Sequence, residues 1–251
     1  MKKVFLMLCL SVIFQVCVSQ IKPNETLIFS GSYELGGMMT NLAQVTMRTE
    51  PVNTSKKSYL RLSIEVSTFD KWDSFFKIRD LYESYVEPIT LKPSLYKRNV
   101  LEGGYTKTEK YSFNAAGTSL TSVASRMKRA ETKRTLNVPA SASDVVSMVY
   151  KLRMIDLSKI KNGQSLPFVI IFDEKQLPVW VKLLGKETIP AGNLGKKECY
   201  KLSISAKTNK LKGADKNLIW ISADSKRIPC LIKFSIPVGV GQVTLLKAAG
   251  V

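Results

Sequence analysis

The chain has 251 residues, 45% of them apolar, with 38 lysines and arginines against 20 acidic residues, no histidine and a formal charge of +18. That is ample for one large β-type domain with its own core, and too apolar for a disordered chain. Without imidazole there is no Ser-His-Asp or Cys-His catalysis and no histidine-bearing zinc site.

The first segment is expected to be a signal peptide. Met1-Lys2-Lys3 is positive, Val4 to Val16 is almost wholly apolar, and Cys17-Val18-Ser19 supplies small residues for cleavage before Gln20. Residues 1–19 are then leader, residues 20–251 a single β-rich domain, and the destination the periplasm or the exterior. A lipid anchor fits Phe14-Gln15-Val16-Cys17 less well. Cleavage removes Cys9 and Cys17, leaving Cys199 and Cys230 in a compartment that permits disulfides. Their strand-like runs do not set them directly opposite, so a bridge and two half-buried thiols both stay open.

Beyond the leader the hydrophobic period is mostly two. Leu27 to Leu35 starts as a strand and Gly36-Gly37 turns it; Ala43 to Thr49 returns. Ser58 to Thr68 alternates cleanly, one face apolar and one wet. Phe75 to Ile78 and Leu81 to Val86 read as short strands, with Pro88 and Pro93 marking an edge or loop. Tyr96 to Leu101 and Tyr105 to Phe113 form a hairpin around Glu102-Gly103-Gly104, and Leu120 to Arg134 a further strand pair. One amphipathic helix is expected after Ser141, which caps it, with Asp144 three residues on. Val145, Val149, Leu152 and Ile155 form its apolar stripe. Pro167 to Phe172 and Val179 to Leu184 then flank a turn at Asp173-Glu174-Lys175-Gln176. Lys197 to Ala206, Leu218 to Ser222, Ile228 to Ile236 and Gln242 to Lys247 complete a meander. Gly213, Gly239 and Gly241 read as turn glycines. The fold class is mostly β: an antiparallel, strongly curved sheet or half barrel with that helix packed on it.

Two motifs carry a resemblance. Asp144, Ser147, Tyr150 and Arg153 fit a D-x-x-S-x-x-Y-x-x-R helix, and Trp220, Ser222, Asp224, Arg227 and Pro229 fit a W-x-S-x-D-x-x-R-x-P hairpin, with Gly-Lys-Glu at 185 to 187 and Cys199-Tyr200-Lys201 between them. In order and spacing, over about residues 27 to 248, the chain resembles the DUF3108 family of exported proteins of Gram-negative bacteria. The resemblance implies an exported, mostly antiparallel protein and, more loosely, a curved sheet like that of periplasmic lipoprotein carriers. It supplies no catalytic residues. Physically, Asp224 suits the hairpin turn, Arg227 can pair with Asp224 or cover Trp220, and Pro229 belongs at an edge or bulge.

Carboxylate chemistry would need two acids in one cleft. Asp70 with Asp73, Glu83 with Glu87, and Asp173 with Glu174 all sit in polar stretches and read as surface charge. No spacing calls for a metal or cofactor. The basic excess concentrates at Arg126, Lys128, Arg129, Lys133 and Arg134, five cations in nine residues, with Lys207, Lys210, Lys212 and Lys216 as a second group. In an exported protein their anions are lipid headgroups or acidic envelope polymers rather than nucleic acid. The expectation is a non-enzymatic envelope protein holding an apolar or amphiphilic ligand, such as a lipid, against a curved sheet, with Phe29, Tyr33, Tyr59, Leu62 and Trp180 as candidate wall residues. The alternatives are an adaptor docking on anionic polymer through Arg126 to Arg134, and a carboxylate-based glycan-acting enzyme.

Overall fold

A computed structural model describes residues 21–206, 216–236 and 239–251. The expected leader, and Lys207, Lys210, Lys212 and Gly213, lie outside these residues.

Eight strands run first: β1 (Thr26–Leu35), β2 (Met38–Asn53), β3 (Ser58–Thr68), β4 (Arg79–Val86), β5 (Pro93–Glu102), β6 (Tyr105–Phe113), β7 (Ser119–Arg126) and β8 (Thr132–Asn137), with helix α1 (Asp70–Phe76) between β3 and β4. The short β9 (Ser143–Asp144) leads into helix α2 (Val145–Met154). There follow β10 (Ser165–Phe172), β11 (Lys175–Pro190), β12 (Lys196–Ala206), β13 (Leu218–Ser222), β14 (Pro229–Ile236) and β15 (Gly239–Ala249).

All described strands belong to one sheet, in the order β8-β7-β6-β5-β4-β3-β2-β1-β15-β14-β13-β12-β11-β10-β9. Each neighbouring pair is antiparallel except β9 with β10. The two meanders join where β1 pairs β2 on one side and β15 on the other, in register from Thr26↔Ala249 to Tyr33↔Gly241. Register shifts at Ile28/Phe29, Gly31/Ser32, Tyr85/Val86, Leu183/Gly185 and Trp220/Ile221 add local twist, so the sheet curves without closing into a barrel.

The curve wraps α2. Val146 and Tyr150 enter one apolar cluster with Leu27, Phe29, Leu60, Leu62 and Tyr96. Met148 and Leu152 enter another with Val181, Leu183, Leu202, Ile219 and Ile221. No residue of α2 is exposed. The amphipathic character expected of this helix is not borne out: Ser147 and Arg153 are buried and bonded, and the half-buried Lys151 donates to the Ser143 hydroxyl at 2.8 Å. Asp144, rather than Ser141, is the N-cap; it accepts from the Ser147 amide at 2.8 Å and from the Ser84 hydroxyl of β4 at 2.6 Å. The Tyr150 hydroxyl donates to the Arg48 carbonyl of β2 at 3.2 Å. Arg153 reaches Glu25 and the Arg227 carbonyl. Asp144, Tyr150 and Arg153 of the helix motif thus fasten α2 to both halves of the sheet, while Ser147 completes the cap.

The second correction is α1. Residues 75 to 78 were expected to be a strand; Phe75 and Phe76 instead end a two-turn helix that places Asp70 and Asp73 in its first turn, where carboxylates favour the exposed amides. The third concerns Gly239 and Gly241, which lie within β15. A Cβ on Gly241 would collide with the Phe234 ring, so the glycine lets that ring lie across the strand.

Candidate ligand cavity and its rim

Leu27, Phe29, Gly31 and Tyr33 alternate along β1 and share its inner face. Leu27 and Phe29 are wholly buried in the cluster that holds α2's Val146 and Tyr150. Gly31 and Tyr33 lie farther along and line a cavity of about 570 Å³ with Leu42, Val45, Val66 and Phe234. The cavity is the part of the inner face that α2 leaves uncovered. Its size falls within the usual range for small-molecule sites, and Ser32, Thr68 and Gln242 are the polar residues among a lining otherwise aliphatic and aromatic.

Trp72, Phe75 and Phe76 of α1 complete the wall. Yet α1 contributes no buried residue, and Phe75 is 80% exposed. Polar bonds hold the helix in place. The Trp72 indole donates to the Asn41 carbonyl at 3.0 Å, and the Phe69 amide to Leu42 at 3.0 Å. Asp73 accepts from the Thr68 hydroxyl at 2.6 Å and from both terminal nitrogens of Arg79, at 3.0 and 2.5 Å. The Arg79 guanidinium, then Thr68, hold the Asp73 carboxyl below the usual carboxylate range. A short helix latched by such bonds, with little apolar burial, is a weakly seated cover. Met38 and Met39, 71% and 42% exposed, open β2, where Met38 pairs with Leu35 of the cavity lining and Met39 with Glu34.

Elsewhere on the inner face is a seat of ions. The β10–β11 turn, Asp173-Glu174, reaches across the gap between the two ends of the sheet. Asp173 accepts from Arg98 of β5 at 2.7 Å and Lys107 of β6 at 2.6 Å. Glu174 accepts from the Ser122 hydroxyl of β7 at 2.7 Å, lies 3.4 Å from Arg134 of β8, and donates its amide to the Tyr111 hydroxyl at 2.9 Å. Glu109, wholly buried, lies 3.1 Å from Lys107 and 3.7 Å from Arg98. The expectation of a solvated acid pair at 173 and 174 is corrected: both carboxylates bridge the gap between the sheet's two ends through side-chain bonds. The partners are 40 to 75 residues away in sequence, beyond the reach of local patterning. The other acids are also engaged: Glu83 pairs with Arg61 at 2.7 Å, and Glu87 caps its own turn through the Thr90 amide at 2.6 Å.

Of the expected wall residues, Tyr33 lines the cavity and Phe29 lies in the core under α2 on the same face. Leu62 is core. Tyr59 borders a separate hollow with Val52 and Tyr85, and Trp180 another with Pro167 and Pro178. The five are not brought together. What sequence reasoning missed is α1's Trp72, Phe75 and Phe76; the signal was the pair of acids at the start of a run whose aromatics recur at helical spacing.

Arg126, Lys128, Arg129, Lys133 and Arg134 are all exposed around the β7–β8 turn. Arg126 stacks over Tyr105, 5.2 Å from the ring centre, and Arg134 is partly spent on Glu174. In the hairpin motif, Ser222 donates to Asp224 at 2.8 Å and accepts from the Ile228 amide at 2.8 Å, while the Trp220 indole donates to Glu187 at 3.0 Å. Lys197, rather than Arg227, pairs with Asp224 at 3.2 Å. Arg227 covers Tyr200, 4.9 Å from its ring centre, not Trp220. Pro229 sits at the bulge opposite Trp220 and Ile221. Cys199 and Cys230, on β12 and β14 with β13 between, are free, buried thiols.

A search of curated proteins finds no match. Among solved structures, a β-barrel-like protein of a domain of unknown function, DUF1849, from Brucella abortus superposes with a TM-score of 0.59 at 9% identity, covering 90% of this chain and 97% of that one. A "putative lipoprotein" from Parabacteroides distasonis gives a TM-score of 0.36 at 8% identity, covering 91% and 96%. The first supports a barrel-like fold and nothing further. The family model described as a protein of unknown function, DUF3108, matches residues 29–246, nearly the whole described sheet, and the chain belongs to that family.

Proposed function

We propose that this chain is a non-enzymatic, exported cell-envelope protein that binds an apolar or amphiphilic ligand in the cavity between α1 and the curved sheet. The observation that carries this is the cavity itself: about 570 Å³ of almost wholly apolar lining, left open where α2 ends its cover of the inner face. Water in such a space gains few hydrogen bonds, so an acyl chain or other apolar group replaces it favourably, at about 25 cal/mol per Å² of apolar surface buried. In this reading α2 is a fixed plug that props the sheet apart, and α1 is the cover that yields.

The test is titration of the leaderless protein with a fluorescent fatty acid. Wild type is expected to saturate at one probe per chain. Val66→Phe, which fills the cavity, is expected to weaken binding at least tenfold with an unchanged thermal melt. No saturable binding by wild type, or equal binding by Val66→Phe, overturns the reading.

A second reading rests on the exposed cations at the β7–β8 turn, which suit an anionic envelope polymer. Reversing Arg126, Lys128, Arg129 and Lys133 to glutamate is expected to abolish low-salt association with such polymer; unchanged association removes this reading.

A further inference from the structure

The rim of the cavity carries apolar side chains that the fold itself leaves without cover. Phe75 is 80% exposed, Met38 71%, Phe76 47% and Met39 42%, with Phe69 beside them. They belong to two neighbouring segments, α1 with its N-cap Phe69 and the start of β2, tied together by the Trp72–Asn41 and Phe69–Leu42 bonds. Scattered exposed apolar residues are ordinary; a cluster of aromatics and methionines around the mouth of an apolar cavity is not.

We infer that this rim docks on an anionic phospholipid bilayer, with Met38, Met39 and Phe75 entering the boundary between headgroups and acyl chains. This rests on the ligand reading above for what passes through the mouth, and names the partner from which it passes. Two observations favour a bilayer. Phe75 and Phe76 belong both to the exposed set and to the cavity lining, and Met38 pairs with Leu35 of that lining, so an acyl chain has an apolar route from membrane to cavity. Without Lys2 and Lys3 of the leader, 36 of the chain's 38 cationic residues remain against 20 acidic ones, which draws it to an anionic surface over about a Debye length. Close in, charge is balanced: Lys71 and Lys77 share the rim with Asp70 and Glu34, all exposed. The whole chain thus supplies the attraction, and the apolar tips supply the hold, as for other interfacial elements.

The experiment is flotation of the leaderless protein with vesicles of phosphatidylglycerol and phosphatidylethanolamine, with no added ligand, beside the fatty-acid titration. Met38 and Met39 lie outside the cavity lining, so Met38→Ser/Met39→Ser is expected to weaken vesicle binding about tenfold and leave probe binding unchanged. Val66→Phe is expected to do the reverse. Phe75→Ser, at a site already exposed, checks α1 independently and is expected to weaken flotation. Wild type is expected to float with these vesicles at low salt and to bind poorly to uncharged phosphatidylcholine. The inference is overturned if wild type does not float, if the double serine variant floats as wild type does, or if sedimentation shows that the variant's effect is loss of a dimer that buries this rim. Failure of probe binding alone removes the cavity reading and leaves the docking result standing.

Discussion

Arg153 on α2 donates two hydrogen bonds, 2.6 and 2.7 Å long, to the carboxylate of Glu25, and both side chains are fully shielded from water. Glu25 precedes β1, the strand where the two meanders join, so this pair locks the plug to the seam of the sheet. Arg153 also donates to the carbonyls of Arg227 and Lys226, at 3.0 and 3.3 Å, and so fixes the β13–β14 turn. Removing one partner leaves an uncompensated charge in the interior, which costs about 3–5 kcal/mol. Arg153→Met and Glu25→Gln are each expected to lower stability by that order in urea denaturation. The double variant is expected to lose less than the sum of the two, because no lone charge remains.

Asp80 lies buried on the inner face of β4, where its carboxylate accepts from the Leu101 amide at 3.1 Å and the Tyr82 hydroxyl at 3.2 Å. Burial, and then the charge of Glu102, push its carboxyl up to about 6. The folded state therefore holds this proton more tightly than the unfolded chain does. Its contribution is full below the ordinary value of 3.8 and is lost as pH rises through about 6. Asp80→Asn keeps an acceptor for Leu101 and never ionises. It is expected to match wild type near pH 3.5 and to exceed it by about 2 kcal/mol at pH 7, read from urea midpoints at the two values. Equal midpoints at pH 7 would show that Asp80 ionises without penalty.

Asp173 and Glu174 are both left-handed, with φ of 50° and 59°, in a two-residue turn whose backbone suits Asn-Gly better. Relief of that backbone is worth about 1 kcal/mol per residue, whereas loss of the seat strands Arg98 and Lys107 beside Glu109 alone. Asp173→Asn/Glu174→Gly is therefore expected to lose about 2 kcal/mol net. Amide exchange in Ser165–Phe172 is expected to rise as the sheet's open edge loosens. A more stable variant would show that the turn's backbone, not its ions, sets the cost.

Cys199 and Cys230 are buried and reduced. Contact with Cys230, and then burial, push the Cys199 thiol well above its ordinary value, while the same contact lowers that of Cys230; the protection of both rests on their complete burial. Iodoacetamide is expected to leave both peptides unmodified in the native protein and to label both in urea. Native labelling of either would show that β12 to β14 open.

The strands whose outer face is wet were the most legible. Ser58 to Thr68 matches β3 residue for residue, because Glu65 is exposed while Leu60 and Leu62 are buried on the other face. The ends of β2 and β11 were harder to place: both run to sixteen residues and keep pairing through prolines and polar tips that read locally as loop. The α1 helix was misread because seven residues with adjacent phenylalanines satisfy a short strand pattern equally well. The cavity left no local mark. Phe29 and Tyr33 obey the same alternation, and only the length of α2 decides that one is roofed and the other lines a void.

The pairing of β1 with β15 has a consequence for biosynthesis. Residues 26 and 249 must meet before the seam exists, so the first eight strands emerge and pair while one side of β1 still presents bare amides and carbonyls. An incomplete chain that stops short of Gly239 carries a ten-residue adhesive edge. Such fragments should pair with one another rather than stay single, and a holding chaperone would need to shield that one strand until the last one arrives.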